Sequence, residues 1–174
     1  MTTRDLLFSI DERVVYPGYG IARVARIVER TIGGSTTQCY ELALIYKEMT
    51  VLVPVASVGA VGVRRLSSSA DLEQVISRMR DSGTVAAGYQ TSNWNKRSKD
   101  YRSRLGSGNL LEILTIYKEL RTRAVKKELS FGERTLLQQT EQLLAQEIAI
   151  VKGLLPEDAL SWLRTFSDGV HKTL

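Results

Sequence analysis

The sequence has little of the chemistry that binds metals or cross-links a chain, since its 174 residues include one cysteine, Cys39, and one histidine, His171. A lone thiol cannot form an internal disulfide, and this pair cannot supply the ligands of a structural zinc ion. No apolar run approaches the ~20 residues that a membrane-spanning helix needs. The stretch Met1 to Phe8 lacks the apolar core and cleavage site of a secretory signal. We therefore expect a soluble cytoplasmic protein that binds no metal and no membrane.

Groups suited to catalysis are also scarce. The only histidine lies near the C-terminus, and no pair of carboxylates lies in an apolar context that would shift their pKa values. No glycine-rich phosphate-binding motif follows a predicted strand, because the glycines at 17–20 and 33–34 have the pattern of turns. We therefore predict that the protein is not an enzyme and has no cofactor and no small-molecule substrate.

Positive charge is concentrated in one part of the chain. The formal net charge is +5, and residues 91–127 hold ten lysines and arginines against three acidic residues. The last segment, 128–174, holds four against seven. A local excess of this kind favours a polyanion as partner, but it is also compatible with solvated helix faces. Charge alone leaves both interpretations open.

The first half of the chain has the pattern of a small β-domain. Over residues 12–66, valine, isoleucine and tyrosine recur in short runs bounded by glycines, without helical periodicity. Pro17 to Gly20 predicts a tight turn, and Gly33 with Gly34 predicts the tip of a hairpin. Short strands are also expected at Met49 to Pro54 and at Val61 to Leu66. Such a small sheet hides its edges best by curling into a barrel.

The second half has the pattern of helices. A predicted helix after residue 66 carries Leu72, Val75, Ile76 and Met79 on one face, and a glycine-containing stretch follows it. From Asn93 onward apolar residues recur at helical spacing, and Ser130 with Glu133 has the spacing of a helix capping box. The fold class is therefore α+β, with a small β-barrel followed by an all-α helical bundle. The predicted domains are 1–66 as the β-domain, 67–90 as connecting helix and linker, and 91–174 as the helical domain with a C-terminal tail helix.

Trp94 lies in an unusual setting at the start of the helical half. It lacks the apolar neighbours three and four residues away that a core position normally has. Cations surround it in sequence: Lys96, Arg97, Lys99, Arg102 and Arg104, with Arg123 farther on. The indole could stack on a base, gaining roughly 1–3 kcal/mol per base while the cations hold phosphates. It could equally be a buried cap over the helix bundle, and the residues alone leave both open.

Two sets of residues resemble the CarD/CdnL family of bacterial RNA polymerase-binding transcription regulators. The first set, in the β-domain, is Phe8, Asp11, Val14 to Pro17 with Gly20, Met49 to Pro54, and Gly62 to Arg64. The second set, in the helical domain, is Asn93-Trp94 with Lys96-Arg97, Leu105, Ser107-Gly108, Leu120, Leu129-Ser130, Gly132-Glu133 and Glu147. The resemblance covers residues 8–150.

The resemblance implies a Tudor-like, SH3-like β-barrel that binds the RNA polymerase β subunit. It further implies a helical domain that binds promoter DNA at the upstream edge of the bubble, so that a monomer stabilises the open complex. By position, the polymerase-binding residues are Arg30, Thr50, Val51 and Leu52. Trp94 matches a minor-groove wedge, and Arg97, Lys99 and Arg134 match DNA-contacting cations. We add Lys96, Arg102 and Arg104 to the DNA-binding set from the basic segment itself.

Three departures from the family pattern accompany the resemblance. Leu52 stands where some relatives have a second polymerase-contacting arginine, and Ser98 replaces a common aromatic. Residues 153–174 have no counterpart that we can align. Because of Leu52 and the acidic final segment, an alternative is a polymerase adaptor whose helical domain binds a protein partner rather than DNA.

Overall fold

The chain forms two compact units, Met1–Leu66 and Ser67–Leu174. The structure is a computed structural model that describes residues 6–81 and 93–171. Within these ranges all strands belong to the first unit, and the five long helices belong to the second. Each unit has a hydrophobic core of its own. We call them the β unit and the helical unit.

The β unit is built from antiparallel strands. They are β1 (Arg13–Tyr16), β2 (Gly20–Ile32), β3 (Ser35–Leu44), β4 (Thr50–Pro54) and β5 (Arg64–Arg65). Their order across the sheet is β4-β3-β2-β1-β5. The β2–β3 hairpin turns at Gly33 and Gly34, whose φ angles of 58° and 83° suit glycine. The predicted hairpin tip is therefore confirmed.

The sheet formed by the described strands is open, with β4 and β5 at its two edges. The α+β prediction, with a small β-domain before the helices, is confirmed, but hydrogen bonds do not close these strands into a barrel. The expected strand at Val61 to Leu66 is shorter than predicted. A one-turn helix, α1 (Val58–Val61), ends at Gly62 with φ 81°, and only two residues of the following stretch pair with β1.

The core of the β unit lies under one face of this sheet. Tyr40 is fully buried there, and its hydroxyl accepts a hydrogen bond from the backbone N–H of Phe8 at 3.1 Å. The rings of these two residues are 5.8 Å apart. This contact fastens the segment before β1 to the sheet. The other buried members of the cluster are Val14, Ala22, Val24, Leu42, Leu44, Val53, Val58 and Val63.

The helical unit contains α2 (Ser69–Asp81), α3 (Trp94–Gly106), α4 (Leu110–Lys126), α5 (Phe131–Lys152) and α6 (Pro156–His171). Side chains cap the N-termini of α2 to α5, and at α2 the Ser68 hydroxyl accepts a hydrogen bond from the N–H of Asp71 at 3.0 Å. Asn93 caps α3 and Asn109 caps α4, while Ser130 and Glu133 form the predicted capping box of α5. No helix in the described part of the chain has the length and apolarity needed to cross a bilayer.

The helix α2 is part of the helical core rather than only a connection. Leu72, Ile76 and Met79 are buried in the same cluster as residues of α3 to α6. The predicted apolar face of this helix is thus confirmed. Lys152 of α5 holds the outer side of α2 through an ion pair with Glu73 at 2.6 Å. Apart from Asp81, the predicted glycine-containing linker at 81–88 lies outside the described residues.

We expect substitutions in this core to have large effects on the helical unit. Leu144 is fully buried, so Leu144→Ala should lower the free energy of unfolding by about 2–5 kcal/mol. The control Leu155→Ala removes a side chain that is 60% exposed, and should change it by about 0.5 kcal/mol or less. Urea denaturation followed by circular dichroism measures both. Equal effects of the two substitutions would contradict this core.

Candidate functional site

Trp94 is the first residue of α3 and lies against the start of α5. Its position is set by Asn93, whose side-chain oxygen accepts a hydrogen bond from the N–H of Asn95 at 3.0 Å. The indole is partly buried and packs on the helical core. Its ring lies so close to Gly132 that a Cβ at that position would be 2.6 Å from Cζ2. The indole therefore combines features of both interpretations left open by the sequence, because it contacts the core and keeps part of its surface in solvent.

A buried ion cluster lies beside the indole. The Oε1 atom of Glu133 is 3.2 Å from Nη2 of Arg97 and 2.7 Å from Nε of Arg123. Its Oε2 atom accepts a hydrogen bond from the N–H of Ser130 at 2.9 Å. The guanidinium carbon of Arg97 is 5.8 Å from the centre of the Trp94 ring, which is a cation–π distance. One carboxylate thus links α3, α4 and the first turn of α5.

The ionised form of Glu133 is the stable one in this cluster. Burial acts to raise the pKa of its carboxyl. The hydrogen bonds from Ser130 and the charge of Arg123 outweigh burial and hold the pKa below its ordinary value of 4.5. The carboxylate therefore keeps its charge at neutral pH, when both arginines need a partner.

Arg97 and Arg104, two members of the predicted DNA-binding set, are paired with carboxylates of the helical unit. Arg97 is only 6% exposed, and Glu133 balances its charge inside the fold. Arg104 is partly buried, with a 2.6 Å ion pair to Glu112 and carboxylates of Asp100 and Glu119 each at 3.5 Å. Both arginines therefore have counterions within the fold, and their contact with DNA stays a prediction.

Other members of the predicted DNA-binding set do face solvent. Lys96, Lys99 and Arg102 are exposed and follow one another at three-residue intervals along one side of α3. Arg134 is exposed in the first turn of α5, with Glu128 at 3.4 Å as a weakly held partner. Because Trp94 packs on the same turn of α5, these helices place exposed cations on both elements that hold the indole.

The sequence analysis did not select Phe131, which is 79% exposed and is the first residue of α5. It directly precedes Gly132, so a second aromatic side chain lies next to the residue on which the indole packs. A signal for it was present. Phe131 is a large aromatic residue between the capping residue Ser130 and the apolar stripe of α5, which begins at Leu136.

Three of the four predicted polymerase-binding residues lie on one edge of the β unit. Thr50, Val51 and Leu52 belong to the edge strand β4, which pairs with β3 on its inner side. Leu52 is 42% exposed and lies opposite Glu41. Arg30 is exposed on β2 opposite Thr37, four residues from Glu41 along β3.

Because side chains alternate along a strand, this register puts Arg30 and Leu52 on the same outer face of the sheet, roughly 13 Å apart along β3. Apolar side chains of the β3–β4 turn are exposed beside the edge: Ile45, Tyr46 and Met49. The edge thus offers backbone groups for pairing together with an exposed apolar surface.

Comparisons with known proteins match both units. Residues 8–67 match the family model of the CarD-like/TRCF RID domain, and residues 74–164 match that of the CarD C-terminal domain. The Bacillus subtilis protein named "Putative transcription factor YdeB" is 20% identical over 156 residues, covering 90% of this chain and 99% of that protein. The match to the CarD C-terminal domain continues into α6, past residue 150, where the resemblance in the sequence ends.

A solved structure is also similar. The solution NMR structure of the 72-residue N-terminal domain of Myxococcus xanthus CarD has 32% sequence identity with this chain. The match covers 34% of this chain and 80% of that domain, with a TM-score of 0.31.

The Glu133 cluster should dominate the stability of this region. Glu133→Gln leaves Arg97 buried without its counterion, so we expect the free energy of unfolding to fall by about 3–5 kcal/mol. The control Glu128→Gln changes an exposed carboxylate and should cost about 0.5 kcal/mol. Urea denaturation measures both.

The Glu133→Gln substitution should also change how the free energy of unfolding depends on pH. Because the folded pKa of Glu133 lies below 4.5, its stabilisation is complete above about pH 4.5 and is lost as the pH falls through the folded value. Wild type should therefore lose more stability on acidification than the Glu133→Gln variant. Parallel pH profiles of the two proteins would contradict the cluster.

Proposed function

The chain belongs to the CarD family of transcription regulators, and from this premise we propose that it stabilises open promoter complexes by binding RNA polymerase and DNA together. The β unit binds the polymerase β subunit, and the helical unit binds promoter DNA at the upstream edge of the bubble. The observation that carries the proposal is the position of Trp94, which lies at the start of α3 with exposed cations around it. The protein acts in the cytoplasm by binding alone, as a monomer.

The DNA-binding surface consists of two aromatic side chains and four cations. They are Trp94, Phe131, Lys96, Lys99, Arg102 and Arg134. The exposed part of the indole enters the minor groove beside an unstacked base step, which an apolar wedge can hold apart. The cations bind the flanking phosphates and make the affinity dependent on salt. Arg97 acts behind the surface, because it lies against the indole and is fixed by Glu133.

Preference for the open complex follows from what the indole can contact. A wedge binds a kinked or separated base step, which the closed duplex does not offer, so the protein has a higher affinity for the open state. A ligand shifts an equilibrium only by such a difference in affinity. A gain of about 1–3 kcal/mol at one base step corresponds to a roughly 5- to 150-fold longer-lived open complex.

The polymerase-binding surface is the β4 edge. The RID family model matched by residues 8–67 implies interaction with RNA polymerase, and we propose the β subunit as the contact. An extended strand of the polymerase adds to β4 through backbone hydrogen bonds. Leu52 then provides an apolar contact where some relatives have an arginine, while Arg30 reaches an acidic group from the same face. Linking this anchor to the DNA anchor raises the effective concentration of each for its site.

Removing the indole tests the DNA part of the proposal. Trp94→Ala should shorten the lifetime of open complexes at least fivefold in a competitor-challenge assay. The matched control is Trp162→Phe, because Trp162 stacks on Phe166 within α6 and should leave the lifetime unchanged. A folded Trp94→Ala protein with wild-type lifetimes would show that the wedge role is wrong.

The salt dependence of DNA binding distinguishes this proposal from the alternative, in which the helical unit binds a protein partner. If the helical unit binds DNA, each of Lys96→Ala, Lys99→Ala and Arg102→Ala should reduce the salt dependence of DNA affinity by about one phosphate contact. If it binds a protein instead, the full chain will show no salt-dependent binding to forked promoter DNA. That result would favour the alternative.

The polymerase part of the proposal is tested at the edge strand. Leu52→Glu places a charge on the docking face and should weaken binding of the full chain to DNA-free polymerase at least tenfold. Ile10→Glu is the control, because Ile10 is also exposed but precedes β1, which two strands separate from β4. Thermal unfolding should be unchanged in both variants. Equal binding by both would contradict docking through β4.

A further inference from the structure

Gly132 is a glycine that its own backbone does not require. It is the second residue of α5, and its φ is not among the positive values of the described glycines. Alanine is a better helix former than glycine, since glycine loses more conformational freedom on folding. The local structure therefore favours a side chain at this position, and another constraint must exclude it.

The indole of Trp94 occupies the space that a side chain at position 132 would need. A Cβ at position 132 would lie 2.6 Å from Cζ2, 3.0 Å from Cε2 and 3.2 Å from Nε1 of the indole. All three atoms are part of one rigid ring, so no flexible end can move away. Other glycines differ: a Cβ added at Gly106, the last residue of α3, would meet nothing within 4 Å.

The indole is constrained from a second side. Arg97 lies 5.8 Å from the ring centre, and its ion pair with Glu133 ties it to the residue that follows Gly132. The first turn of α5 therefore provides both the surface under the ring and the carboxylate that holds its neighbouring cation. Displacing the ring would break its contacts with this turn and with the Arg97 guanidinium.

We propose that Gly132 is a positioning residue for the DNA-contacting indole: its missing side chain lets Trp94 lie on the first turn of α5, which fixes the ring before DNA binds. This inference rests on the proposed DNA-binding function. Fixing the ring in advance reduces the entropy lost on binding, and it sets how far the ring extends from the helical unit. A side chain at 132 pushes the ring outward and frees it, without removing any group that could touch DNA.

The test is Gly132→Ala in a Trp162→Phe background, where Trp94 is the only tryptophan. We expect a rise of at least twofold in acrylamide quenching of Trp94 fluorescence and at least a fivefold shorter open-complex lifetime. Gly106→Ala is the matched control, a helical glycine in open space, and should change neither quantity. Unchanged quenching in Gly132→Ala would overturn the proposal.

A double-mutant cycle separates positioning from a general structural effect. In the Trp94→Ala background, Gly132→Ala should shorten the open-complex lifetime no further, because the indole through which it acts is absent. An additional loss there would show that Gly132 acts by another route. If Trp94→Ala itself has no effect, the proposed function fails, whereas a Trp94→Ala effect without a Gly132→Ala effect overturns only the positioning role.

If the Gly132→Ala protein does not fold, a smaller ring at position 94 tests the same proposal. Phenylalanine lacks the outer part of the indole, so Trp94→Phe should tolerate alanine at 132. The Trp94→Phe/Gly132→Ala protein should unfold at the same or a higher urea concentration than Trp94→Phe alone. A lower midpoint for the double variant would mean that something other than the indole requires glycine at 132.

Discussion

The carboxylate of Glu133 is the interaction on which the helical site depends. One oxygen meets two arginines from two other helices, and the other oxygen closes the capping box at the start of α5. A carboxylate at this depth is tolerable because two guanidinium groups balance its charge and each of its oxygens accepts a hydrogen bond. Since Glu133 follows Gly132, the ion cluster and the surface under Trp94 share one helical turn. Loss of the carboxylate therefore affects both the stability of the unit and the setting of the indole.

This cluster divides the cations of the basic segment into two groups. Arg97 and Arg104 are balanced by carboxylates inside the fold, whereas Lys96, Lys99 and Arg102 remain in solvent. The surface available to a polyanion is thus less basic than the composition of the segment indicates. The aromatic side chains must then supply a larger share of any contact with DNA, and Phe131 extends the apolar part of the surface beside Gly132.

Features with a local cause were the ones that the sequence predicted well. The hairpin tip at Gly33 and Gly34 needs only the conformational freedom of its own residues, and the capping box of α5 joins groups three residues apart. The apolar face of α2 was visible in the same way. The packing of α2 in the helical core could not be predicted, because periodicity shows which face of a helix is buried but not which helix covers it. The sequence also did not show that the sheet is open, since only two residues of β5 pair with β1.

The sequence by itself determined the two-part α+β pattern, the helix caps, and the association of an indole with cations at the start of α3. Only the tertiary structure decided which of those cations are free and what the indole lies on. The reason is distance along the chain: Arg97 and Glu133 are 36 residues apart, and Trp94 meets Gly132 across a comparable separation. Helical periodicity reports neighbours three or four residues away, whereas contacts between helices depend on how the helices pack.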